Sequence, residues 1–189
     1  MSDFQEYSMG LMFTEDMRKV LLILKNHGPA SVIGRWNGIG GHIESSKPHV
    51  AEQDDVFGKP GCNCGCQEAE TPIQCQIREY AEETGAPTTE NDWEKFAELA
   101  GADFVVHCFW GRNNSAVYRA ETMTNERVAI IHCDKNSWTG EHQRLNYIST
   151  APNLHWMIPF LRDPSTISQL GVIIAAYHKD DNIDAIASV

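Results

Sequence analysis

No apolar run in this sequence approaches the roughly 20 residues needed to span a membrane. The first ten residues, MSDFQEYSMG, lack the basic start and apolar core of a signal peptide. From these two absences we expect a cytoplasmic protein with no membrane partner. Positive charge is also scarce: 15 Lys and Arg stand against 26 Asp and Glu, for a net charge of -11. Long nucleic acids are therefore not expected as partners, because binding them takes a basic footprint. A small phosphorylated substrate is not excluded, since a bound metal can bring positive charge locally. There is no internal repeat and no long linker, so the 189 residues are expected to form one domain with a substantial core.

The apolar pattern that is present is mixed. Met9–Phe13 and Val20–Leu24 read as strands, the second short and continuous enough to be buried on both faces. Lys25–Ser31 reads as a loop, followed by the Gly-rich GRWNGIGGHIE of Gly34–Glu44. Residues 45–69 are polar, aperiodic and end near CNCGC, which marks an inserted loop. Glu90–Leu99 suggests a helical turn leading into a strand, and Asp103–Trp110 and Val128–Cys133 are β-branched and aromatic strands. GRNNSA reads as a turn between them, Asp134–His142 as a loop and Leu145–Ile148 as a further strand. Asn153–Leu161 reads as a helix packed through Leu154, Met157, Ile158 and Leu161, kinked or ended by Pro159. Gly171–Tyr177 is a strand or a core helix turn, within a C-terminal extension of about 165–189 whose tail carries no signal. Strands mixed with two helices point to an α/β or α+β layered domain.

The most informative stretch is Glu70–Ala86, ETPIQCQIREYAEETGA. Ile73, Ile77, Tyr80, Ala81 and Thr84 make an apolar stripe at helical spacing. Thr71 with Gln74 forms a capping box, Pro72 suits the first helical position, and Gly85 can close the end in a left-handed turn. Glu79, Glu82 and Glu83 stand at i, i+3 and i+4, which crowds three carboxylates on one side of the helix. A divalent cation would turn that repulsion into coordination, whereas a merely solvated acidic face is the plainer alternative.

Gly41, Glu70, Arg78, Glu79, Glu82, Glu83, Gly85 and Ala86 together resemble the box of the Nudix hydrolases. That box runs glycine, a short spacer, glutamate, seven residues, Arg-Glu, two residues, Glu-Glu, one residue, glycine and an apolar residue. This sequence departs from it at Tyr80, a usually aliphatic place, and between Gly41 and Glu70. There 28 residues replace the usual five, an excess of 23 that we assign to a loop inserted after Glu44. Loop closure entropy rises slowly with length, so such an insertion is tolerable. The resemblance implies a Nudix-type α/β/α sandwich with a mixed central sheet.

The resemblance also implies roles. Glu82 and Glu83, with the Gly40 carbonyl, would ligate Mg²⁺ or Mn²⁺, and Glu79 would hold a metal-bound water or share the work of general base. Arg78 would orient Glu79 and Glu82, and Glu70 would stabilise the junction between loop and helix. His42 stands where the family often has Lys and would assist catalysis when protonated. Glu141, with Asp134 second, is the candidate for a further metal-ligating carboxylate. GRWNGIGGHIE is similar to the words preceding the box in the MutT-like nucleoside triphosphatases, with Trp36, Asn37, Asn153 and Trp156 as candidates for binding the base. The implied reaction is metal-dependent hydrolysis of a nucleoside diphosphate linked to another moiety. A (d)NTP or oxidised purine nucleotide, split to a nucleoside monophosphate and pyrophosphate, leads. ADP-ribose or a nucleotide sugar is the alternative, and a non-catalytic nucleotide sensor is another class. Cys62, Cys64 and Cys66, with Cys75 or His49, are either zinc ligands fastening the insertion or free thiols. The partners expected are a small nucleotide and, as an open alternative, a second copy of the chain in a homodimer.

Overall fold

The structure, a computed structural model, describes residues 4–44, 69–133 and 149–163, with the backbone of 173–177 and 183–188. The insertion's residues 45–68, the Leu145–Ile148 strand and the rest of the C-terminal extension lie outside the described residues. β1 (Gln5–Phe13) is the spine of a mixed sheet. Along one edge it pairs in parallel, over its whole length, with β5 (Phe104–Arg112). β5 then pairs antiparallel with β4 (Glu94–Ala100), β4 in parallel with β7 (Ile173–Tyr177), and β7 antiparallel with β8 (Ile183–Ser188).

The other edge of β1 is shared. Its end pairs with β2 (Lys19–Leu24) through Met12–Leu21 and Phe13–Val20. Its first half is followed antiparallel by the Gly-rich turn, through the bridges Gly10–Ile39 and Tyr7–His42. β2 in turn pairs with β3 (Trp36–Asn37) and with β6 (Arg127–His132). The Gly-rich turn is thus held against the centre of the sheet.

Side-chain alternation divides the core into two layers. Leu11, Phe13, Val20 and Leu22 join Leu154, Met157, Ile158 and Leu161 of the helix α3 (Leu154–Leu161). Met12, Leu21 and Ile23 join Tyr80 of the helix α1 (Pro72–Thr84) and Ala116 and Val117 of α2 (Asn114–Tyr118). A sheet between helices is the expected sandwich. α1 lies close to β1 because the strand presents small residues there. The Ser8 hydroxyl donates to Cys75 Sγ at 3.1 Å, and a Cβ on Gly10 would fall 2.3 Å from Gln76 Nε2.

The four α3 positions read as apolar are the buried ones, and Pro159 falls in its last turn. On α1 the expected stripe is corrected in part. Cys75, Gln76, Tyr80 and Thr84 are buried, whereas Ile73 and Ile77 are only half-buried. Gln76 can be buried because its Nε2 donates to the Ile39 carbonyl at 3.1 Å. GRNNSA is not a plain turn: the Asn113 side chain accepts from Ala116 N at 3.0 Å and starts α2. Of the two readings of Gly171–Tyr177 the strand holds, and the tail that carried no signal adds β8 beside it. Among the described residues no helix is long and apolar enough to cross a membrane.

Candidate active site

The site begins where the chain enters α1. Thr71 caps the helix in a capping box with Gln74, Pro72 opens it and Gly85 ends it with φ 69°. Just before the cap, Glu44 N donates to Glu70 Oε2 at 3.0 Å and Glu70 N donates to the Glu44 carbonyl at 3.2 Å. The residues on either side of the inserted segment are therefore bonded to each other. Turn and helix meet much as they would with no insertion between them.

Arg78 ties this junction to the acidic face. Its guanidinium donates to both Glu70 oxygens (2.8 and 2.9 Å), to Glu79 Oε1 (2.7 Å), to Glu82 Oε2 (3.2 Å) and to the His42 carbonyl (3.2 Å). These bonds hold Glu70 below the usual carboxylate range, and they raise Arg78. A carboxyl depressed in the folded state stabilises the fold above its unfolded value and loses that contribution as pH falls through the folded one. Glu70→Gln is therefore expected to cost about 1–2 kcal/mol at neutral pH, since hydrogen bonds to charged groups are worth more than neutral ones. Urea unfolding should show the difference from wild type shrinking as pH drops below 4.5, the ordinary value for this group.

The three crowded glutamates are not equivalent. Glu82 is exposed, with Arg78 as its partner. Glu79 is mostly buried, and its carboxyl lies flat against Gly41, where a Cβ would stand 2.3 Å from the carboxyl carbon. Glu83 is 7% exposed and faces inward. Lys25, just past β2, reaches it at 3.0 Å, reaches Glu126 at 2.8 Å and donates to the Gly40 carbonyl at 3.4 Å. Burial pushes the Glu83 carboxyl up to about 7, and Lys25 offsets this only in part. Burial also opposes charge on Glu126, but Lys25 and Asn26 N–H, which donates to it at 2.7 Å, hold it below the usual range. His27 Nδ1 lies 2.9 Å from Glu126 Oε1 and adds to Lys25 there when protonated, so Glu83 is the carboxylate left short of positive charge.

No local sequence motif marks Glu126. It precedes β6, and the pairing of Leu24 with Arg127 carries it to Lys25. Glu141 and Asp134 lie outside the described residues, as do His49, Cys62, Cys64 and Cys66. Cys75 is a buried free thiol that burial pushes up to about 11, and Sγ points at the Gly41 and His42 carbonyls. Burial thus favours its neutral thiol. His42 Nε2 bonds Gln5 Oε1 at 2.7 Å and its ring stands edge-on to Tyr7, so the side chain is engaged along β1.

Of the four base-binding candidates, Trp36, Asn153 and Trp156 gather at the α3 side of the sheet. Trp36 is buried under the Arg127 guanidinium, 5.1 Å from the ring centroid. Asn153 is buried against Met9 and Met157 sulfurs. Trp156 packs on the same layer. Asn37 pairs with Ile23, of the opposite layer, and so does not join them. Asn37 Oδ1 and Trp156 Nε1 are both buried without a hydrogen-bond partner.

Among the described residues no group of three or more His, Cys, Asp or Glu side chains converges on a point where a metal ion could sit. The carboxylates are drawn instead to Arg78 and Lys25. The donor set nonetheless suits a hard divalent cation. It is all oxygen, Glu83 Oε2 is buried with no hydrogen-bond partner, and the pocket is short of positive charge.

No protein-family model matches the chain, and no curated protein matches it by sequence. Solved structures do match. A NUDIX hydrolase from Nitrosomonas europaea aligns over 94% of this chain and 81% of its own, with 16% identity and a TM-score of 0.55. A mutator MutT protein from Bacillus halodurans aligns over 97% and 96%, with 14% identity and a TM-score of 0.51. The chain has the Nudix fold. The candidate site is the stretch that resembles the Nudix box, from Gly41 to Gly85. Its residues meet in space although the insertion parts them in the chain.

Proposed function

We propose that this protein is a divalent-metal-dependent hydrolase of phosphoric anhydrides. Its substrate class is a nucleoside diphosphate linked to another moiety, with a (d)NTP or oxidised purine nucleotide as the leading member and a nucleoside monophosphate and pyrophosphate as products. The observation that carries this reading is the paired arrangement of α1 and the Gly-rich turn. Arg78 holds Glu79 and Glu82, while Glu83 is buried beside the Gly40 carbonyl without full charge compensation.

Glu82, Glu83, Glu79, Glu126 and the Gly40 carbonyl would hold Mg²⁺ or Mn²⁺. Such an ion neutralises the diphosphate and lowers the pKa of water near it. The chain's own residues do the rest. Arg78 fixes the direction of two carboxylates, so they need not reorganise when a substrate arrives. Glu79, backed by Arg78 and Gly41, would take a proton from the attacking water. Trp36, Asn153 and Trp156, gathered on one face of the sheet, bind the base, and Asn37, on the other face, is left out of that group. Trp156 Nε1 supports this, because an unpaired buried polar atom costs about 1–3 kcal/mol unless a ligand or water engages it.

The test is phosphate and pyrophosphate release from a panel of nucleoside triphosphates, oxidised purine nucleotides, ADP-ribose and nucleotide sugars, with and without Mg²⁺. Mg²⁺-dependent release of pyrophosphate is expected, and Glu82→Gln should lower it about 10²-fold or more. Cleavage of ADP-ribose or a nucleotide sugar alone would move the substrate assignment. Failure to cleave any compound would leave a nucleotide-sensing module.

A further inference from the structure

Lys25 is an odd residue to find at the centre of a site that calls for a metal. Its backbone is pinned, with N donating to the Arg35 carbonyl at 3.1 Å and the carbonyl accepting from Gly34 N at 2.8 Å. Its side chain, 12% exposed, runs inward to put one ammonium against Glu83 Oε1, Glu126 Oε2 and the Gly40 carbonyl. Those oxygens belong to three separate segments: α1, the residue before β6 and the Gly-rich turn. An ammonium that bonds all three substitutes for a cation. Of the two buried carboxylates, Glu126 also has His27 Nδ1 at 2.9 Å, whereas among the described residues Lys25 is the cation paired with Glu83, and the second Glu83 oxygen is left with no hydrogen-bond partner. A divalent cation would serve them better. It cannot share Glu83 Oε1 and the Gly40 carbonyl with Lys25, because the two cations would then stand within a few ångströms in a poorly solvated place.

We propose that Lys25 is a resident counter-ion, holding the metal subsite together in the metal-free protein and leaving it when a divalent cation enters. The idea rests on the metal-dependent reading above. Burying Glu83 and Glu126 without a cation would cost the fold heavily, so the ammonium lets the site preassemble before metal arrives. Metal affinity is then the affinity of an exchange, weakened by the bonds Lys25 gives up. Lysine suits the task because its long flexible stem can withdraw while its backbone stays in place.

The experiment is a Mn²⁺ titration without nucleotide, followed by the electron paramagnetic resonance of free Mn²⁺. It compares wild type, Lys25→Met, Glu83→Gln and Lys19→Met. Lys25→Met is expected to bind Mn²⁺ about tenfold or more tightly than wild type, in line with the loss of competing charged hydrogen bonds. Its metal-free form should melt lower, and Mn²⁺ should raise that melting temperature more than it does in wild type. Lys19→Met removes an equal charge from the far end of β2 and should leave affinity unchanged. In wild type, Lys25 labelling by acetic anhydride, read by peptide mass spectrometry, should rise when Mg²⁺ is added. That readout holds even if Lys25→Met does not fold. Equal or weaker Mn²⁺ binding by Lys25→Met, or labelling that fails to rise, overturns the exchange. If wild type binds Mn²⁺ and Glu83→Gln does not, the metal site stands even then. A wild type that binds no Mn²⁺ overturns the metal reading and the exchange with it.

Discussion

Glu83→Gln is expected to cut divalent-cation-dependent hydrolysis by about 10³-fold while leaving the protein folded. Glutamine keeps the shape of the side chain and an oxygen for Lys25, which lies 3.0 Å away. What it removes is the negative charge of the most buried glutamate of the acidic helix. That charge burdens the metal-free fold. Burial raises Glu83 to about 7 from an ordinary value of 4.5, so the folded state holds a proton that the unfolded state releases. Stability from such a group is complete below 4.5 and is lost as pH rises through about 7, a fall on the order of 2–3 kcal/mol. Metal-free wild type should therefore lose stability across that window, and Glu83→Gln should stay nearly level. Urea unfolding in chelator at several pH values, beside a Mg²⁺-dependent release assay, separates the two effects. Equal activity of the two proteins would remove Glu83 from the metal site. A parallel pH dependence would remove the cost assigned to its charge.

Gly40→Ala and Gly41→Ala should fail in opposite ways although the residues are neighbours. A Cβ on Gly40 would fall 2.2 Å from the Ser8 carbonyl oxygen and 2.9 Å from Met9 Cα, which are backbone atoms of the central strand. Neither can move without parting the turn from β1, so we expect a loss of about 3 kcal/mol or more, at the upper end of overpacking costs. A Cβ on Gly41 would instead meet the Glu79 carboxyl group at 2.3–2.5 Å. That is the end of a flexible side chain, and it can swing away at small cost to the fold. Glu79 would then leave the place where Arg78 holds it, 2.7 Å from the guanidinium. Gly41→Ala should therefore melt close to wild type and lose about 10²-fold or more in turnover. Denaturant midpoints and single-turnover rates on the two variants give the comparison. Similar stability losses in both would mean that the turn yields as a unit.

Much of this was legible along the chain. The helix Pro72–Thr84 is marked at both ends by residues whose effect is local, the Thr71 box and the Gly85 turn. The spacing of Glu79, Glu82 and Glu83 follows from 3.6 residues per turn, and α3 shows its buried face in the same way. The unequal surroundings of the three glutamates were not legible. Glu83 is buried and Glu82 exposed because of what α1 packs against, and spacing alone makes them alike. The half-burial of Ile73 and Ile77 beside a buried Gln76 has the same origin. Gly10 lets the helix close on β1, and the Ile39 carbonyl repays the amide.

The sequence by itself determined which helix carries the carboxylates and where it starts and stops. Each of these rests on contacts between residues a few positions apart, which helical geometry sets without reference to the rest of the fold. Tertiary structure decided what faces that helix. Lys25 and Glu126 meet across 101 positions because β2 and β6 pair in one register. A strand pairing shifted by one residue would turn those side chains to the other face. Register is a property of the assembled sheet, and no short stretch of the chain contains it.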